Sequence, residues 1–377
     1  MKMEELKQFL VYPDIRVVDA LQIIDQNARG IVFVINDNEE LMGTLTDGDI
    51  RRWLIKTGNL EAKIEGIMNP KPKFIYVNDT KEYKEFLHKY KIRIAPVLTP
   101  DNVVCDIVFD DVEYVELRRD KKALKDIPVI IMAGGKGTRL YPYTKVLPKP
   151  LIPIGDIPIM ERIIDRFRDY GVTNFYATVN YKKSMIKSYF ADVITDYTMT
   201  YVEEDEPLGT AGSLHLIEDT FDKPVIVTNC DILIESDYEE VYKRHVESGN
   251  ELTIVTALKN IVVPYGVIKT KEDGIITGMD EKPKLSYFVN TGMYVLNPEL
   301  LKEIPKNTFY HMTDLANELM KQGRRVGMFP ISEDSFLDMG ELEEMRRMEQ
   351  KLNISVRDDP FLYREGQLTS LSRGHNL

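Results

Sequence analysis

The chain has 377 residues, 43% hydrophobic and 29% charged, which is typical of a globular protein of two or three domains and excludes disordered, collagenous and coiled-coil chains. Its 61 acidic residues outnumber its 49 basic ones, and the net charge of -12 argues against a general nucleic acid binder. No stretch approaches the roughly 20 apolar residues of a membrane span, and the charged N-terminus is unlike a signal peptide. We therefore expect a cytoplasmic protein that binds neither membrane nor nucleic acid.

Cysteine and histidine are scarce and scattered along the chain. Cys105 and Cys230 lie far apart, which indicates neither a disulfide framework nor a thiolate metal site. The five histidines have no paired spacing of the kind that zinc sites use; they are His88, His215, His245, His311 and His375. We interpret them as ordinary surface or core side chains.

Residues 1–120 contain a diverged internal repeat with an offset of about 63 residues. Each copy is predicted to form an amphipathic helix followed by two strands. The predicted elements are 17–27, 31–35 and 41–45 in the first copy (1–58), and 81–90, 95–98 and 104–109 in the second (62–120). Because one copy alone could not cover its sheet, we expect the two to pack face to face.

The first copy carries Gly43, Thr46 and Asp49 in a Gly-x-x-Thr-x-x-Asp pattern. This half resembles a tandem pair of cystathionine-β-synthase (CBS) domains, a small α+β unit that commonly binds adenine nucleotides. The resemblance implies that Thr46 and Asp49 hold the phosphate and ribose of a regulatory nucleotide. The corresponding residues of the second copy differ, being Asp106, Phe109 and Val112. The alternative is that Thr46 and Asp49 only cap the helix that follows them.

A charged linker, 116–122, leads into a region where short apolar strands alternate with helices. The predicted strands are 128–132, 175–179, 224–228 and 252–258, and the predicted helices are 159–170, 183–190, 213–218 and 238–247. This alternation predicts an α/β domain over 127–352 with a Rossmann-like, mainly parallel sheet. Ligands of such sheets lie at the carboxyl ends of the strands. A polar tail, 353–377, follows.

The first of these strands runs into a loop with glycines at 134, 135 and 137, which let the backbone approach an anion closely. The spacing fits neither a dinucleotide-binding fingerprint nor a Walker loop, because Leu140 and Gly137 stand where those motifs need Gly and Ser or Thr. Four prolines over 142–153 make a helix improbable until about Pro158. With Arg139 and Lys149, the loop suits a polyphosphate.

Residues 135–150 read GKGTRLYPYTKVLPKP, which resembles the signature of sugar-1-phosphate nucleotidyltransferases. Further segments match that family in order over about 127–350. They are the base loop with Gly209, Thr210 and Gly212, then Asp231 after a strand, Tyr265-Gly266, Glu281-Lys282, Asn290, and Asp338 near the end. The resemblance implies a nucleotidyltransferase fold and an enzyme of this class.

The resemblance also implies roles for these residues. A sugar-1-phosphate oxygen attacks the α-phosphorus of a nucleoside triphosphate, so charge neutralisation matters more than a general base. We assign Asp231 and Asp338 to a Mg²⁺ cofactor, Arg139 and the loop residues Gly134, Gly135, Gly137 and Thr138 to the β- and γ-phosphates, and Lys149 to the α-phosphate or the incoming phosphate. Lys282 is assigned to the sugar phosphate, Glu281 and Asn290 to sugar hydroxyls, and Tyr265-Gly266 to the sugar.

The substrates remain open at this stage. A CBS pair before such a domain resembles guanylyltransferases that activate glucosamine-1-phosphate for legionaminic-acid-type sugars, so GTP and glucosamine-1-phosphate are our first choice. Mannose-1-phosphate or a heptose-1-phosphate with GTP, and UTP, dTTP or CTP with another sugar phosphate, are the alternatives.

Two other classes compete with this interpretation. One is a nucleotide-sensing regulatory protein that has lost turnover, against which the retention of Arg139, Lys149, Asp231 and Asp338 speaks. The other is a retaining glycosyltransferase, which usually holds its metal with an Asp-x-Asp pair, whereas Asn229-Cys230-Asp231 supplies one carboxylate. We further expect a homodimer or higher homo-oligomer.

Overall fold

The computed structural model describes residues 3–27, 29–110, 122–193, 196–340 and 342–352. In its N-terminal half, short helices flank two three-stranded sheets. The elements are α1 (Met3–Leu6), β1 (Leu10–Val11), α2 (Val17–Asn27), β2 (Ile31–Ile35), β3 (Leu41–Thr46), α3 (Asp47–Thr57), β4 (Ile75–Tyr76), α4 (Tyr83–Tyr90), β5 (Ile94–Leu98) and β6 (Val104–Phe109). The predicted helix over 81–90 begins later than expected, since a 3-10 turn occupies Val77–Glu82.

The two copies of the repeat pack against each other, as the sequence predicts. Their sheets have the same strand arrangement, β1-β2-β3 and β4-β5-β6. Phe33 of the first copy and Leu98 and Ile107 of the second share one buried cluster. The Leu41 N–H donates to the Asn102 carbonyl at 3.0 Å, which joins the copies directly.

The C-terminal half is the larger α/β unit. Its helices are α5 (Tyr143–Val146), α6 (Ile159–Arg168), α7 (Lys183–Asp192), α8 (Tyr238–Ser248), α9 (Glu299–Glu303), α10 (Met312–Lys321) and α11 (Leu342–Lys351). Its strands are β7 (Val129–Ala133), β8 (Pro153–Ile154), β9 (Ile157–Pro158), β10 (Asn174–Val179), β11 (Thr198–Glu203), β12 (Val225–Asn229), β13 (Ile232–Ile234), β14 (Leu252–Val262), β15 (Val267–Thr270), β16 (Ile276–Asp280), β17 (Lys284–Leu296), β18 (Val326–Ile331) and β19 (Phe336–Asp338).

Seven of these strands form the central sheet of the described residues, in the order β11-β10-β7-β12-β17-β14-β18. Only β17 runs antiparallel to its neighbours in it, so the expected mainly parallel α/β sheet is confirmed. All five residues of β7 are buried, because helices cover both faces of a parallel sheet. Because β7 and β12 pair parallel, their carboxyl ends lie side by side at one edge of the sheet.

Two predicted local structures were wrong. A short helix, α5, forms inside the proline-rich stretch, with Pro142 as its N-cap and its end just before Leu147-Pro148. Proline disfavours helix interiors but tolerates helix starts, so the spacing of these prolines leaves room for one turn. The helix predicted over 213–218 is instead a 3-10 helix, Gly212–Leu216.

Most of the predicted linker, 116–122, and the whole tail, 353–377, lie outside the described residues. Across the residues that are described, no helix combines the length and the apolar character that a bilayer span requires.

Candidate active site

The glycine loop begins where β7 ends, and two of its glycines have no room for a side chain. A Cβ on Gly134 would stand 2.5 Å from Oε1 of Glu204. Gly137 has a φ of +64°, and a Cβ there would lie 2.8 Å from Thr144 and 3.1 Å from Lys149. The backbone of the loop is thus packed closely against the Pro-Lys-Pro segment.

Lys149 and Asp231 form an ion pair beside this loop. Lys149 opens a 3-10 turn between two prolines, and Asp231 follows the carboxyl end of β12. Only 12% and 9% of their side chains are exposed, so both charges are largely withdrawn from water and neutralise each other.

Asp338 lies next to Asp231 although the two are far apart in sequence. Strands β13 and β19 pair antiparallel with Ile232 opposite Asp338, and the Met339 N–H donates to the Asp231 carbonyl at 2.8 Å. Burial and then the Asp231 carboxylate raise the pKa of Asp338. Its Oδ1 is buried without a hydrogen-bond partner. Two carboxylates therefore share one small region.

Arg139 reaches the same region from the loop. A Cβ on Gly340 would lie 3.2 Å from an Arg139 guanidinium nitrogen and 3.2 Å from both carboxylate oxygens of Asp338. The guanidinium of residue 139 and the carboxylates of residues 231 and 338 thus meet at one edge of the sheet.

This donor set fits a hard divalent cation. Carboxylate oxygens are the ligands that Mg²⁺ prefers, and an orphaned buried oxygen on Asp338 is available for one. Among the described residues, no group of three or more His, Cys, Asp or Glu side chains is arranged around a common point. Asp231 and Asp338 alone would leave most positions to substrate oxygens and water, which is how Mg²⁺ is usually held.

A pocket of about 390 Å³ opens beside these groups, and Asp338 is not among the residues that line it. Many of the predicted site residues line it, namely Gly134, Gly135, Gly137, Thr138, Arg139, Lys149, Gly209, Thr210 and Asp231. Other lining residues include Thr178, Glu204, Pro207, Asn229, Cys230, Phe309 and His311. Burial raises the pKa of the Cys230 thiol to about 12, which keeps it protonated.

The predicted base loop forms the opposite wall of the pocket and is tied to the segment that precedes α10. Gly209 has a φ of +81°, and a Cβ there would stand 2.6 Å from the Tyr310 carbonyl oxygen. The N–H groups of Ala211 and Gly212 both donate to that oxygen, at 2.9 and 3.0 Å. Gly212 itself is buried beneath the loop.

Sequence reasoning missed Glu204 and His311. Glu204 is buried just after β11 and accepts a hydrogen bond from the Leu208 N–H at 3.2 Å, and burial raises its pKa. The Thr210 N–H donates to Nδ1 of His311 at 3.4 Å. The position of Glu204 at the end of a parallel strand was a usable signal. His311 lies about a hundred residues further along the chain, and no sequence signal connected it to the pocket.

The residues assigned to the sugar form a second group. They lie on a ribbon made of the outer ends of β14 and β17 and the β15–β16 hairpin, with Tyr265-Gly266 and Glu281-Lys282 in the connecting turns and Asn290 on β17. All of them are exposed. A Cβ on Gly266 would lie 3.1 Å from Glu281 Oε2, so Tyr265-Gly266 and Glu281-Lys282 are neighbours. The Asn290 side chain donates to Tyr294 Oη and accepts from the Gly292 N–H, both at 2.9 Å. These residues are not among those that line the pocket described above.

Thr46 and Asp49 form a capping box at the start of α3. The Thr46 hydroxyl accepts from the Asp49 N–H at 3.2 Å, and the Asp49 carboxylate accepts from the Thr46 N–H at 3.0 Å. Asp49 also pairs with Arg52 at 2.6 Å. The structure thus gives both residues the capping role that was the alternative, while their nucleotide role stays a prediction.

Both halves of this chain are similar to known protein families. The family model described as nucleotidyl transferase matches residues 128–354, and the CBS domain model matches residues 7–56. The crystal structure of HddC from Yersinia pseudotuberculosis complexed with GMP-PN is similar at 25% identity with a TM-score of 0.47, covering 60% of this chain and 99% of that one.

Two curated relatives are similar over the C-terminal half. A UTP–glucose-1-phosphate uridylyltransferase of Synechocystis is 32% identical over 236 residues, 57% of this chain and 60% of the relative. A mannose-1-phosphate guanyltransferase of Debaryomyces hansenii is 36% identical over 181 residues, 46% of this chain and 50% of the relative. The chain thus spans between half and 60% of the length of these relatives. Because the family model covers more than half of the chain, this protein belongs to the nucleotidyl transferase family and carries a CBS domain in front.

Proposed function

We propose that this protein transfers a nucleotidyl group from GTP to glucosamine-1-phosphate, which releases pyrophosphate and yields a nucleotide sugar. One observation supports this class of reaction most strongly. Two basic and two acidic side chains lie close together at the carboxyl edge of the parallel sheet, namely Arg139, Lys149, Asp231 and Asp338. Relatives named as uridylyl- and guanyltransferases of sugar-1-phosphates support it.

In this proposal the protein neutralises and positions two anions. Arg139 and the amides of the glycine loop hold the β- and γ-phosphates, and Lys149 turns from Asp231 towards the α-phosphate. The attacking phosphate oxygen is already an anion, so no side chain has to remove a proton. The oxygen bonds to the α-phosphorus as the bond to the bridging pyrophosphate oxygen breaks, and pyrophosphate leaves with that electron pair.

Asp231 and Asp338 would hold a Mg²⁺, which supplies positive charge to the phosphates of both substrates when bound. The unpartnered Oδ1 of Asp338 and the proximity of the two carboxylates support this assignment. Before metal and substrates bind, the Lys149 ammonium neutralises the Asp231 carboxylate, which keeps the site assembled.

Glu204 supports guanine as the base. Guanine presents two adjacent donors, N1–H and the exocyclic amine, and a carboxylate presents two acceptors. Glu204 is buried in the wall of the pocket beside the base loop, and the Leu208 N–H donates to one of its oxygens. A buried carboxylate is stabilised by further donors, which the guanine edge would supply. Uracil and thymine offer one donor beside acceptors and match a carboxylate less well.

The base assignment predicts the behaviour of Glu204→Gln. An amide presents one acceptor and one donor, so it should disfavour GTP and favour UTP or dTTP. We expect kcat/KM for GTP to fall roughly 100-fold relative to UTP, since a buried polar group is left mismatched. Steady-state kinetics with each nucleotide measures this, with exposed Glu206→Gln as the control. An unchanged GTP preference would remove Glu204 from base selection.

The sugar assignment rests on the ribbon. Glu281 supplies an exposed carboxylate that suits the ammonium group of an amino sugar, and the Lys282 ammonium suits the sugar phosphate. Mannose-1-phosphate is the first alternative, because several relatives are mannose-1-phosphate guanyltransferases. A heptose-1-phosphate with GTP, or another triphosphate with glucose-1-phosphate, remains an alternative.

A matrix of the four nucleoside triphosphates and dTTP against sugar-1-phosphates tests the whole proposal. Pyrophosphate release with Mg²⁺, and its loss with a chelator, is the expected result, with the highest rate for GTP and glucosamine-1-phosphate. Release with another pair would keep the reaction class and change the substrates. No release with any pair would overturn the proposal in favour of a binding protein.

We also propose that the N-terminal half binds an adenine nucleotide, since the Gly43, Thr46 and Asp49 pattern is complete in the copy that the CBS model matches. Calorimetric titration of the full chain with AMP, ADP and ATP tests this, with Asp49→Asn as the variant that should lose the heat. The homo-oligomeric state and the cytoplasmic location remain predictions from the sequence.

A further inference from the structure

The N-terminal half packs against one edge of the central sheet. Strand β18 is the edge strand on that side, and α3 contacts it. Leu258 of β14 and Phe288 of β17 pack into the same hydrophobic cluster as the core of the first CBS copy. The halves therefore share a core at this edge as well as polar contacts.

Arg51 of α3 makes two polar contacts that cross this boundary, to Pro330 and Glu240. Its Nε donates to the Pro330 carbonyl at 3.1 Å, one Nη donates to Glu240 at 2.9 Å, and the other pairs with Asp47. The guanidinium also lies over the Phe329 ring, 5.0 Å from its centre. Only 14% of the side chain is exposed, so this arginine is fixed in a partly desolvated site.

The carbonyl that Arg51 holds is eight positions before Asp338 in the chain. After β18 the chain makes a tight turn in which the Ser335 N–H donates to the Ser332 carbonyl at 3.2 Å, and it then enters β19, which ends at Asp338. The segment between the held carbonyl and the candidate metal ligand is thus short and has little freedom to absorb a displacement.

A second contact from the N-terminal half reaches the same turn. Gln22 of α2 donates to Asn260 at 3.3 Å, and the Asn260 N–H donates to Glu333 at 3.2 Å. Lys259 pairs with Glu333 at 3.1 Å and holds its other oxygen. Helix α3 therefore holds β18 directly, and α2 is linked to the turn before β19 through Asn260.

We propose that Arg51 is a positioning residue, which holds residues 329–330 of β18 against α3 and thereby keeps Asp338 beside Asp231. The proposal rests on the proposed function in that Asp338 acts there as a metal ligand. Its physical basis is that a displacement of about 1 Å in a catalytic group can cost on the order of 100-fold in rate. The CBS half would then be part of the catalytic scaffold, whether or not a nucleotide binds it.

The variant Arg51→Ala, in the full chain, tests this, with Arg52→Ala as the matched control. Arg52 is the next residue on the same helix, is 71% exposed, and pairs with Asp49 of that helix. In Arg51→Ala we expect the Mg²⁺ concentration for half-maximal rate to rise roughly tenfold and kcat to fall roughly tenfold, with KM for GTP at saturating metal unchanged. Arg52→Ala should match the wild type.

Hydrogen–deuterium exchange supplies a readout that needs no turnover. Peptides covering residues 332–340 should exchange roughly tenfold faster in Arg51→Ala and at the wild-type rate in Arg52→Ala. Exchange that rises only within α3, or unchanged metal dependence, would overturn the proposal. If the wild type forms no nucleotide sugar, the proposed function fails, while exchange over 332–340 still decides the role of Arg51.

A misfolded Arg51→Ala would shift the test to Arg51→Lys. An ammonium can keep the ion pairs with Asp47 and Glu240 but lacks the planar fork and the stacking surface. We expect the same changes in exchange and metal dependence, at smaller size. Wild-type values for both in a folded Arg51→Lys variant would contradict the positioning role of the guanidinium.

Discussion

At the scale of single residues, Asp338 is the side chain whose surroundings indicate most directly that it binds a ligand. It is half-buried, one of its oxygens has no hydrogen-bond partner, and the Asp231 carboxylate lies nearby. Burying a charge in that way costs stability unless something compensates it. A protein retains such a residue where it serves function.

Asp338→Asn should therefore separate stability from activity. We expect a midpoint of thermal unfolding equal to or above that of the wild type without metal, because the substitution removes a buried charge beside another carboxylate. Transfer should fall by at least roughly 100-fold, since a metal ligand is lost. Differential scanning calorimetry and a pyrophosphate assay measure the two quantities.

Asp222→Asn, an exposed carboxylate in the turn before β12, is the control and should change neither quantity. If Asp338→Asn kept wild-type turnover, Asp338 would have no role in holding metal, and its orphaned oxygen would need another explanation.

The sequence motif located Arg139, Lys149 and Asp231, and the structure places all three around one pocket. A contiguous loop pattern carries the first two, so sequence alone could find them. Glu204 could have been found from its position at the end of a parallel strand, but His311 reaches the pocket through a long-range contact with Thr210. A single sequence contains no signal for a contact of that range.

At the scale of elements, the base loop holds its shape through close contact between backbones. Gly209 is in the left-handed region, and any side chain there would overlap the Tyr310 carbonyl. The loop is also hydrogen-bonded to the same carbonyl. Its shape therefore depends on glycine at this position.

Gly209→Ala should displace the loop and raise KM for the nucleoside triphosphate roughly tenfold, with a loss of about 1–3 kcal/mol in stability from the strained backbone. Gly66→Ala is the matched control, because no atom lies within 4 Å of the position of a Cβ there and its φ is not positive. Kinetics and denaturant unfolding test both variants. A wild-type KM in Gly209→Ala would show that the loop does not contact the nucleotide.

The boundary between α2, α3 and the turn before β19 contains an unusual carboxylate. Burial, and then Asp334, Asp47 and Glu333, raise the pKa of Asp25 from 3.8 to about 7, while the Ser332 hydroxyl opposes the shift. The folded protein thus binds a proton that the unfolded chain releases between about pH 4 and 7. Stability from this group is fully present below that window and is lost as the pH rises through it.

Asp25→Asn removes the titration. We expect its unfolding midpoint to exceed that of the wild type by a few degrees at pH 8, and the difference to shrink towards pH 5. Thermal unfolding across this range measures it, with Asp37→Asn, an exposed residue in the β2–β3 turn, as the control. A constant difference between Asp25→Asn and wild type at all pH values would contradict the raised pKa.

Helices and strands with a clear hydrophobic periodicity were predictable from the sequence. Elements whose burial depends on the neighbouring strands or helices were not. The predicted helix 17–27 and strand 104–109 coincide with α2 and β6, because their apolar spacing follows one periodicity throughout. Strand β17 escaped prediction although it is central in the sheet. Its outer residues are polar or exposed and its inner ones buried, so the pattern changes midway.

At the scale of the whole molecule, the chain combines an N-terminal half that carries a CBS domain with a nucleotidyl transferase half, and the two share a hydrophobic cluster. The repeat and the loop motif were enough to predict both halves separately. Their contact was not predictable, since Arg51 is indistinguishable in sequence from its neighbour Arg52, and only the packing of α3 on β18 separates their roles.

The central claim is that the α-phosphorus of a nucleoside triphosphate is attacked by a sugar-1-phosphate at this site. Following radiolabels at the α- and γ-phosphates of GTP, with glucosamine-1-phosphate and Mg²⁺, tests it most directly. The account predicts that the α-label appears in the nucleotide sugar and the γ-label in pyrophosphate. A γ-label transferred to the sugar phosphate, or no transfer of either label to any sugar-1-phosphate, would contradict it.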